Sequence, residues 1–484
     1  MQLSYMEEKE RMNKMAKENS QEYRKTKMLT EPIPKIITSM AVPSIIAFLI
    51  NSIYSMADTY FVSGLGINAT AAVSVNTSLD QIIMMAGSLL AVGANSYIAR
   101  LLGAKDEKKA SQVLSTAFML AVVFGVAVMI LGTVFMRPMV RLLGATPTCE
   151  QYSIDYATYI LLAAPFMAAS FVMNQCLRAE GSAMLSMIGM GFGGILNCVL
   201  DPIFIMGLNL GVAGASMATA ISKLVSFGIL IFPYLTHRSI LRISLKYFHP
   251  TQDILSQIVK VGSSSMFRSG LAVVAAIMLN NIAGQISDAV LAGIGVSTKV
   301  MMFPFGIILG FGTGFQPVVG FCWGAKRYDR VRAAFRFSAW TAAIGGGIMG
   351  LTAAIFAGPI IGLFGKSSQE MLEIGELCIR LQCLVLPVHG WVAVVNMMCA
   401  GLGDAKGALL LSTARQGTCF IPFVHLICYL FKAVGAASIQ ALADVLSLAL
   451  AIPVLRRTMK RVADAEKQQE SESIPAAIPV PAME

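Results

Sequence analysis

Apolar stretches of about 20 residues, the length that crosses a hydrocarbon core, recur along nearly the whole chain and are separated by short polar segments. Twelve can be delimited, over residues 36–62, 75–98, 111–135, 153–175, 182–206, 211–235, 256–283, 289–316, 333–357, 374–398, 405–430 and 434–455. No segment alternates apolar and polar side chains as a strand does, and lipid admits only helices or closed barrels because every backbone group must be bonded internally. The pattern predicts an all-α integral membrane protein with twelve transmembrane helices. Residues 1–30 are polar and lack the apolar core and small-residue cleavage site of a secretory signal. The stretch from Ala463 to Glu484, rich in Glu, Gln, Ser and Pro, is likewise expected to be a disordered tail.

The twelve spans divide into two sets of six. Gly103-Ala104-Lys105 recurs as Gly324-Ala325-Lys326, an offset of 221 residues, each copy directly after an apolar span and before a basic loop. The segment from Arg137 to Gly144 aligns with Gly358 to Gly365 at the same offset. Pro165 pairs with Pro387, Gly181 with Gly403 and Pro202 with Pro422, at offsets of 222, 222 and 220. Ordered matches at nearly constant spacing indicate a duplicated unit. Six being even, both copies enter the membrane from the same side, which predicts two six-helix bundles related by a pseudo-twofold axis along the membrane normal. Transporters built this way bind substrate at the repeat interface. The expected organisation is a cytoplasmic tail (1–34), an N-terminal lobe (35–235), a basic cytoplasmic linker (236–255), a C-terminal lobe (256–455) and a second cytoplasmic tail (456–484).

Composition agrees: of the 484 residues 56% are hydrophobic and only 13% charged, more apolar surface than soluble cores could bury. The net charge of +10 is distributed by topology. Lys and Arg concentrate in the tails and in the loops on the side of the N-terminus, whereas the opposite loops hold four. By the positive-inside rule both termini are cytoplasmic, in a multi-pass plasma or inner membrane protein. Charge of that kind reflects contact with anionic lipid, and nucleic-acid binding is not expected. The nine cysteines are scattered, without a CxxC or a Cys/His cluster at metal-ligand spacing, and read as small buried hydrophobes.

Ionisable groups inside spans are costly and are functional candidates by default. The N-terminal half shows Asp58 in span 1 and Asp201 in span 5; Lys223, Lys260, Arg268, Lys299, Arg380 and Arg415 lie in or near spans, mostly of the other half, so the halves read as opposite in sign. At about 1.5 Å per helical residue, Asp58 lies about 33 Å along span 1 and Asp201 about 28 Å along span 5, both toward the outer surface. Thr219, about 12 Å into the descending span 6, reaches a similar depth, and Asn197 shares a helix face with Asp201. Four oxygen-bearing groups can meet there. Two acids in such a pocket repel, and burial opposes their charge, so the pair can take up a proton; equally, carboxylate, amide and hydroxyl oxygens suit Na⁺. An alternative stays open, in which Asp201, followed by Pro202, ends its helix and Asp58 caps the outer loop.

Three segments carry a family resemblance. Tyr54-Ser55-Met56-Ala57-Asp58-Thr59-Tyr60-Phe61-Val62-Ser63-Gly64-Leu65-Gly66 resembles the first-span signature of the multidrug and toxic compound extrusion (MATE) transporters. Leu177-Arg178-Ala179-Glu180-Gly181, the run from Asn197 to Phe204 and the run from Gly211 to Thr219 resemble their fourth-to-sixth-span pattern, and the likeness covers roughly residues 35–455. The resemblance implies a cation site at Asp58, Asn197, Asp201 and Thr219, completed by the backbone carbonyl of Ala215. It also implies a bend in the first span at Pro43; a proline in a helix's first turn is the bland alternative. Norfloxacin-pump relatives carry acids on the seventh and tenth spans, where this chain has Arg268, Arg380 and His389. It is therefore closer to the branch of the staphylococcal pump and the DNA-damage-inducible transporters.

The resemblance implies a monomeric secondary transporter that exports amphipathic organic cations by antiport with H⁺ or Na⁺, needs no other cofactor and works by alternating access. The rival reading in the same superfamily is a lipid-linked oligosaccharide flippase, for which the basic groups of the C-terminal spans speak. No P-loop or HExxH is present, which argues against an ATP-driven pump or metalloprotease, and the chain is not expected to be an enzyme. Gly189, Gly191 and Gly194 satisfy GxGxxG but lie inside span 5, where close helix packing is the expected role. Gly401-Leu402-Gly403-Asp404 matches the GxGD of intramembrane aspartyl proteases, yet its partner span has no Tyr-Asp pair. Glu180, Arg415 and Gln416 are candidates for gating or helix pairing. Of the 30 methionines most are expected to pack or face lipid, and a few to line the cavity.

Overall fold

The computed structural model describes residues 28–63, 65, 67–362 and 369–473. Gly64 and Gly66 of the first-span signature, Leu363 to Gly365 of the repeat, and the tails 1–27 and 474–484 lie outside the described residues. In order come α1 (Ile33–Ser63), α2 (Ile67–Gly103), α3 (Glu107–Val134), α4 (Glu150–Ala179), α5 (Ala183–Pro202), α6 (Gly211–Leu235), α7 (Gln252–Ile286), α8 (Asp288–Gly324), α9 (Tyr328–Ile355), α10 (Gln369–Gly401), α11 (Ala405–Thr413) and α12 (Ile421–Ser473). Among the described residues eleven stretches are long and apolar enough to cross a membrane, the last running 68 residues from Ala405 to Glu472. That last one counts twice. Its backbone leaves the helical region at Lys432 (φ 48°, ψ −122°), so α11 with the first part of α12 forms one crossing and the rest of α12 the next. The protein is thus an all-α, twelve-span membrane protein.

The duplication is visible in the backbone. Left-handed residues stop helices at equivalent points of the two halves: Lys105 (φ 62°) and Lys326 (φ 56°), then Gly181 (φ 81°) and Gly403 (φ 73°). The short helices Met136–Leu142 and Ala357–Gly362 follow α3 and α9 in the same way. The pseudo-twofold axis passes between the ends of α2 and α8. A Cβ on Gly103 would lie 2.1 Å from the Phe321 carbonyl oxygen, and one on Gly324 would lie 1.9 Å from that of Arg100. Only glycine lets the two helices approach so closely, and the contact is reciprocal, as a twofold axis requires. Further along, Gly310 and Gly314 of α8 seat against Ile45 and Ala41 of α1.

Polar contacts between the halves gather at the end of the bundle where the described chain begins and ends. Ser96 donates to the Ala400 carbonyl, Arg100 to Gln257 (3.3 Å), Tyr97 to Asp253 (3.0 Å) and the buried Arg178 to Thr313 (3.1 Å). Arg330 reaches the backbone of Met28 and Glu31, so the end of the expected N-terminal tail is pinned to the other half, with Met28 buried in the core.

The expected C-terminal tail needs correction. Helix α12 continues to Ser473, eleven residues into the stretch read as disordered. Val462 is fully buried, Arg332 of α9 grips Glu466, and the polar residues there are strong helix formers, so tertiary contacts hold what an apolar count misses. The glycines of α5 pack as expected: Gly189 abuts Leu230 of α6, and Gly191 and Gly194 abut Ile50 of α1. Asp404 of the GxGD match caps α11, accepting from Gly407 N (3.3 Å).

Candidate cation site

The site is built where α1, α2, α5 and α6 converge, near the C-terminal ends of α1 and α5. Asn197 and Asp201 sit one turn apart on α5. Asn197 Nδ2 donates to Asp201 Oδ1 (3.2 Å) and to Thr219 Oγ1 on α6 (3.2 Å). All three are buried, Asp201 completely, and so is Ala215 one turn before Thr219. Asp58 projects from α1 close enough for its charge to bear on Asp201.

Asp201 does not end a helix. Past Pro202 the chain widens into a π-turn, Ile203–Gly207, closed by Leu208 N to Ile203 O at 2.8 Å; such turns recur at functional sites. Nor does Asp58 cap a loop, since α1 continues to Ser63. Both alternatives left open by spacing are therefore corrected. Pro43 is buried well inside α1, ten residues past its first residue, so it is not a first-turn proline either.

The electrostatic state of the site follows from its unpaired atoms. Asp58 Oδ1, Asp201 Oδ2 and Asn197 Oδ1 are buried without a hydrogen-bond partner. Three orphaned acceptors in one pocket are costly unless a cation or proton meets them. Among the described residues no three His, Cys, Asp or Glu side chains group as a metal cage. An ion held here would rest on two carboxylates, an amide oxygen and a hydroxyl, with a backbone carbonyl on α6 as a further donor. That is a hard-oxygen set suited to Na⁺.

Sequence reasoning missed a third acid. Asp80 of α2 lies in the charge field of both Asp58 and Lys223, and its Oδ1 is also buried and unpartnered. Lys223 of α6 donates to the Tyr54 hydroxyl (3.3 Å) and lies 5.0 Å from the centre of that ring. Tyr156 of α4 is buried within the charge field of Asp58, Asp80 and Asp201. The rule that singled out Asp58 applies equally to Asp80, which lies within the expected span 75–98.

The C-terminal half also holds a buried acid, so the reading of opposite signs is corrected. Asp444 of α12, only 2% exposed, accepts from Arg415 Nε (2.8 Å) and lies 3.2 Å from His389 Nδ1. Arg415 stacks 4.2 Å from the centre of the Phe305 ring. Arg415 and Gln416 both lie in a second π-turn, Ala414–Thr418. Arg380 pairs with Glu376 at 2.5 Å. Glu180 caps α4, where it accepts from Ser239 Oγ and from Ile240 N (2.9 Å) and so fastens the linker.

Comparison with known proteins bears on this arrangement. A family model described as MatE matches residues 43–203 and 265–426, one match in each half. The Multidrug export protein MepA of Staphylococcus aureus (strain MSSA476) is 29% identical over 407 residues, spanning 84% of this chain and 89% of the relative. The protein of the same name from Staphylococcus saprophyticus is 28% identical over 82% of this chain and 87% of its own. A solved structure described as the outward-facing conformation of a multidrug resistance MATE family transporter of the MOP superfamily superposes with a TM-score of 0.86 at 25% identity, covering 90% of this chain and 98% of that one. A MOP superfamily transporter from Pyrococcus furiosus, whose binding pocket is described as having reverse polarity that suggests a different function, superposes with a TM-score of 0.84 at 26% identity, covering 91% and 98%.

Proposed function

Because the chain belongs to the MatE family, whose members are transporters and not enzymes, we propose that it exports amphipathic organic cations by antiport with H⁺ or Na⁺. The reading rests most on one observation: the fully buried Asp201 keeps a carboxylate oxygen unpartnered beside Asn197 and Thr219, within the field of Asp58. In this account Asp58, Asn197, Asp201 and Thr219 hold the cation, with the Ala215 carbonyl completing the set and Asp80 adding negative charge. An incoming cation neutralises the acids and removes their repulsion. It thereby binds one packing of the N-terminal lobe more tightly than the other, which any ligand-driven conformational change requires. The hinge for that change is α1 at Pro43, and substrate leaves as the lobe repacks. The protein acts as a monomer in the plasma or inner membrane, with both termini cytoplasmic.

The flippase reading drew on free basic groups in the C-terminal lobe. Arg415 paired with Asp444, and Arg380 with Glu376, favour drug export over it. The test is expression in a pump-deficient bacterial host. The account expects raised resistance to ethidium and norfloxacin with energy-dependent loss of ethidium from loaded cells; a normally expressed protein that confers neither would count against it.

A further inference from the structure

Helix α9 carries one ridge at four-residue spacing: Arg332, Arg336, Trp340, Ile344, Ile348. Residues four apart share a helix face, so polarity falls steadily along this ridge from the end of the bundle where the described chain begins and ends. Trp340, Ile344 and Ile348 are 66%, 57% and 63% exposed, an apolar stripe that can only face hydrocarbon. Trp340 heads that stripe, the position indole rings take at the membrane–water boundary. Arg336 lies one turn, about 6 Å, nearer the water.

A crevice opens on each side of the ridge, and Arg336 and Trp340 line both. One, of about 320 Å³, runs toward α10 and α12, where Trp391 and Met459 form its wall. The other, of about 790 Å³, runs toward the start of α1, is walled by Ile33, and follows the apolar stripe past Ile344 and Ile348. Arg332 is engaged by Glu466, but no acid among the described residues pairs with Arg336. Exposed Arg456, Arg457, Lys460 and Arg461 on the neighbouring stretch of α12 add positive charge at the same level.

We propose that this ridge is a binding site for an anionic diacyl phospholipid, whose phosphate rests on Arg336 while its two acyl chains enter the two crevices. A guanidinium with no acid partner among the described residues matches phosphate in charge and geometry, a basic pocket between helices at an interface selects anionic headgroups, and the crevices supply the apolar length that a soluble phosphate would leave empty. Because the larger crevice lies between α1 and α9, the lipid bridges the two halves beside the start of the helix that carries Asp58. The site does not depend on the export reading; only its assignment to the cytoplasmic leaflet rests on the proposed orientation.

The test is native mass spectrometry of the full-length protein released from bilayers of equal phosphatidylglycerol and phosphatidylcholine. Wild type is expected to retain phosphatidylglycerol in preference. Arg336→Gln should cut that preference by about fivefold, the effect of one basic residue at an anionic surface, while Arg336→Lys keeps most of it. Arg327→Gln, at the same end but already paired with Asp329, should leave it unchanged. Equal retention of both lipids by wild type, or undiminished retention by Arg336→Gln, would overturn the site. Arg336 is exposed and its replacement does not threaten folding, and lipid retention is read without transport, so the result is separable from any failure of the export account.

Discussion

At the scale of single residues, the buried acids of the two lobes differ in whether their charge is compensated. Asp444 has Arg415 and His389 around it; Asp58, Asp80 and Asp201 outnumber the one Lys223 in their field. Breaking a buried pair by removing one partner leaves the other charge stranded, at a cost of about 3 to 5 kcal/mol. Asp444→Ala should therefore lower the thermal unfolding midpoint of the detergent-solubilised protein sharply, and Asp444→Leu with Arg415→Met should recover most of the loss; equal destabilisation by the single and double variants would contradict a structural pair. Asp80→Asn should behave differently. It removes charge from a pocket that already has an excess, so stability is retained or improved, while cation-driven efflux falls about tenfold, as when an outer partner of an ion site is lost. The rule that picks out Asp58 and Asp201 from sequence needs only their burial in an apolar span. Asp80 and Asp444 obey the same rule but lie beside polar runs or among distant partners, and only coordinates reveal which charges meet.

At the scale of helices, glycine positions set how closely the halves approach, and the sequence records them as a repeat without saying what they touch. Gly103 and Gly324 appear in the chain as two copies of one tripeptide; in space they are the two sides of a single contact on the pseudo-twofold axis. Gly324→Ala would place a methyl 1.9 Å from the Arg100 carbonyl oxygen. It should destabilise by about 1 to 3 kcal/mol, the usual cost of overpacking, whereas Gly345→Ala, where nothing lies within 4 Å, should be neutral; comparing the two unfolding midpoints checks this. The twelve crossings were legible because bilayer thickness fixes the length of an apolar run. The continuation of α12 to Ser473 was not, because a polar helix held by Val462 and the Arg332 grip on Glu466 leaves no hydropathy signal. The break at Lys432 joins two crossings with almost no loop, and the sequence marks it only by one charged residue between apolar runs.

For the molecule as a whole, the named polar ties between lobes lie at one end, while the acids lie toward the other. Arg178, buried and bonded to Ser186 and Thr313, joins α4, α5 and α8 at the tied end. That arrangement ties the bundle at the end where the described chain begins and ends, and leaves the acidic pocket toward the other, the side from which the proposed coupling cation would enter. The central claim is that cation binding at Asp58 and Asp201 is linked to the movement of substrate. The most direct measurement is ethidium transport by purified protein in liposomes, driven by an imposed proton gradient or an imposed Na⁺ gradient alone, for wild type, Asp58→Asn and Asp201→Asn. Wild type should respond to at least one gradient, and both folded variants should lose that response while still binding ethidium. Undiminished gradient-driven transport by Asp201→Asn would contradict the account.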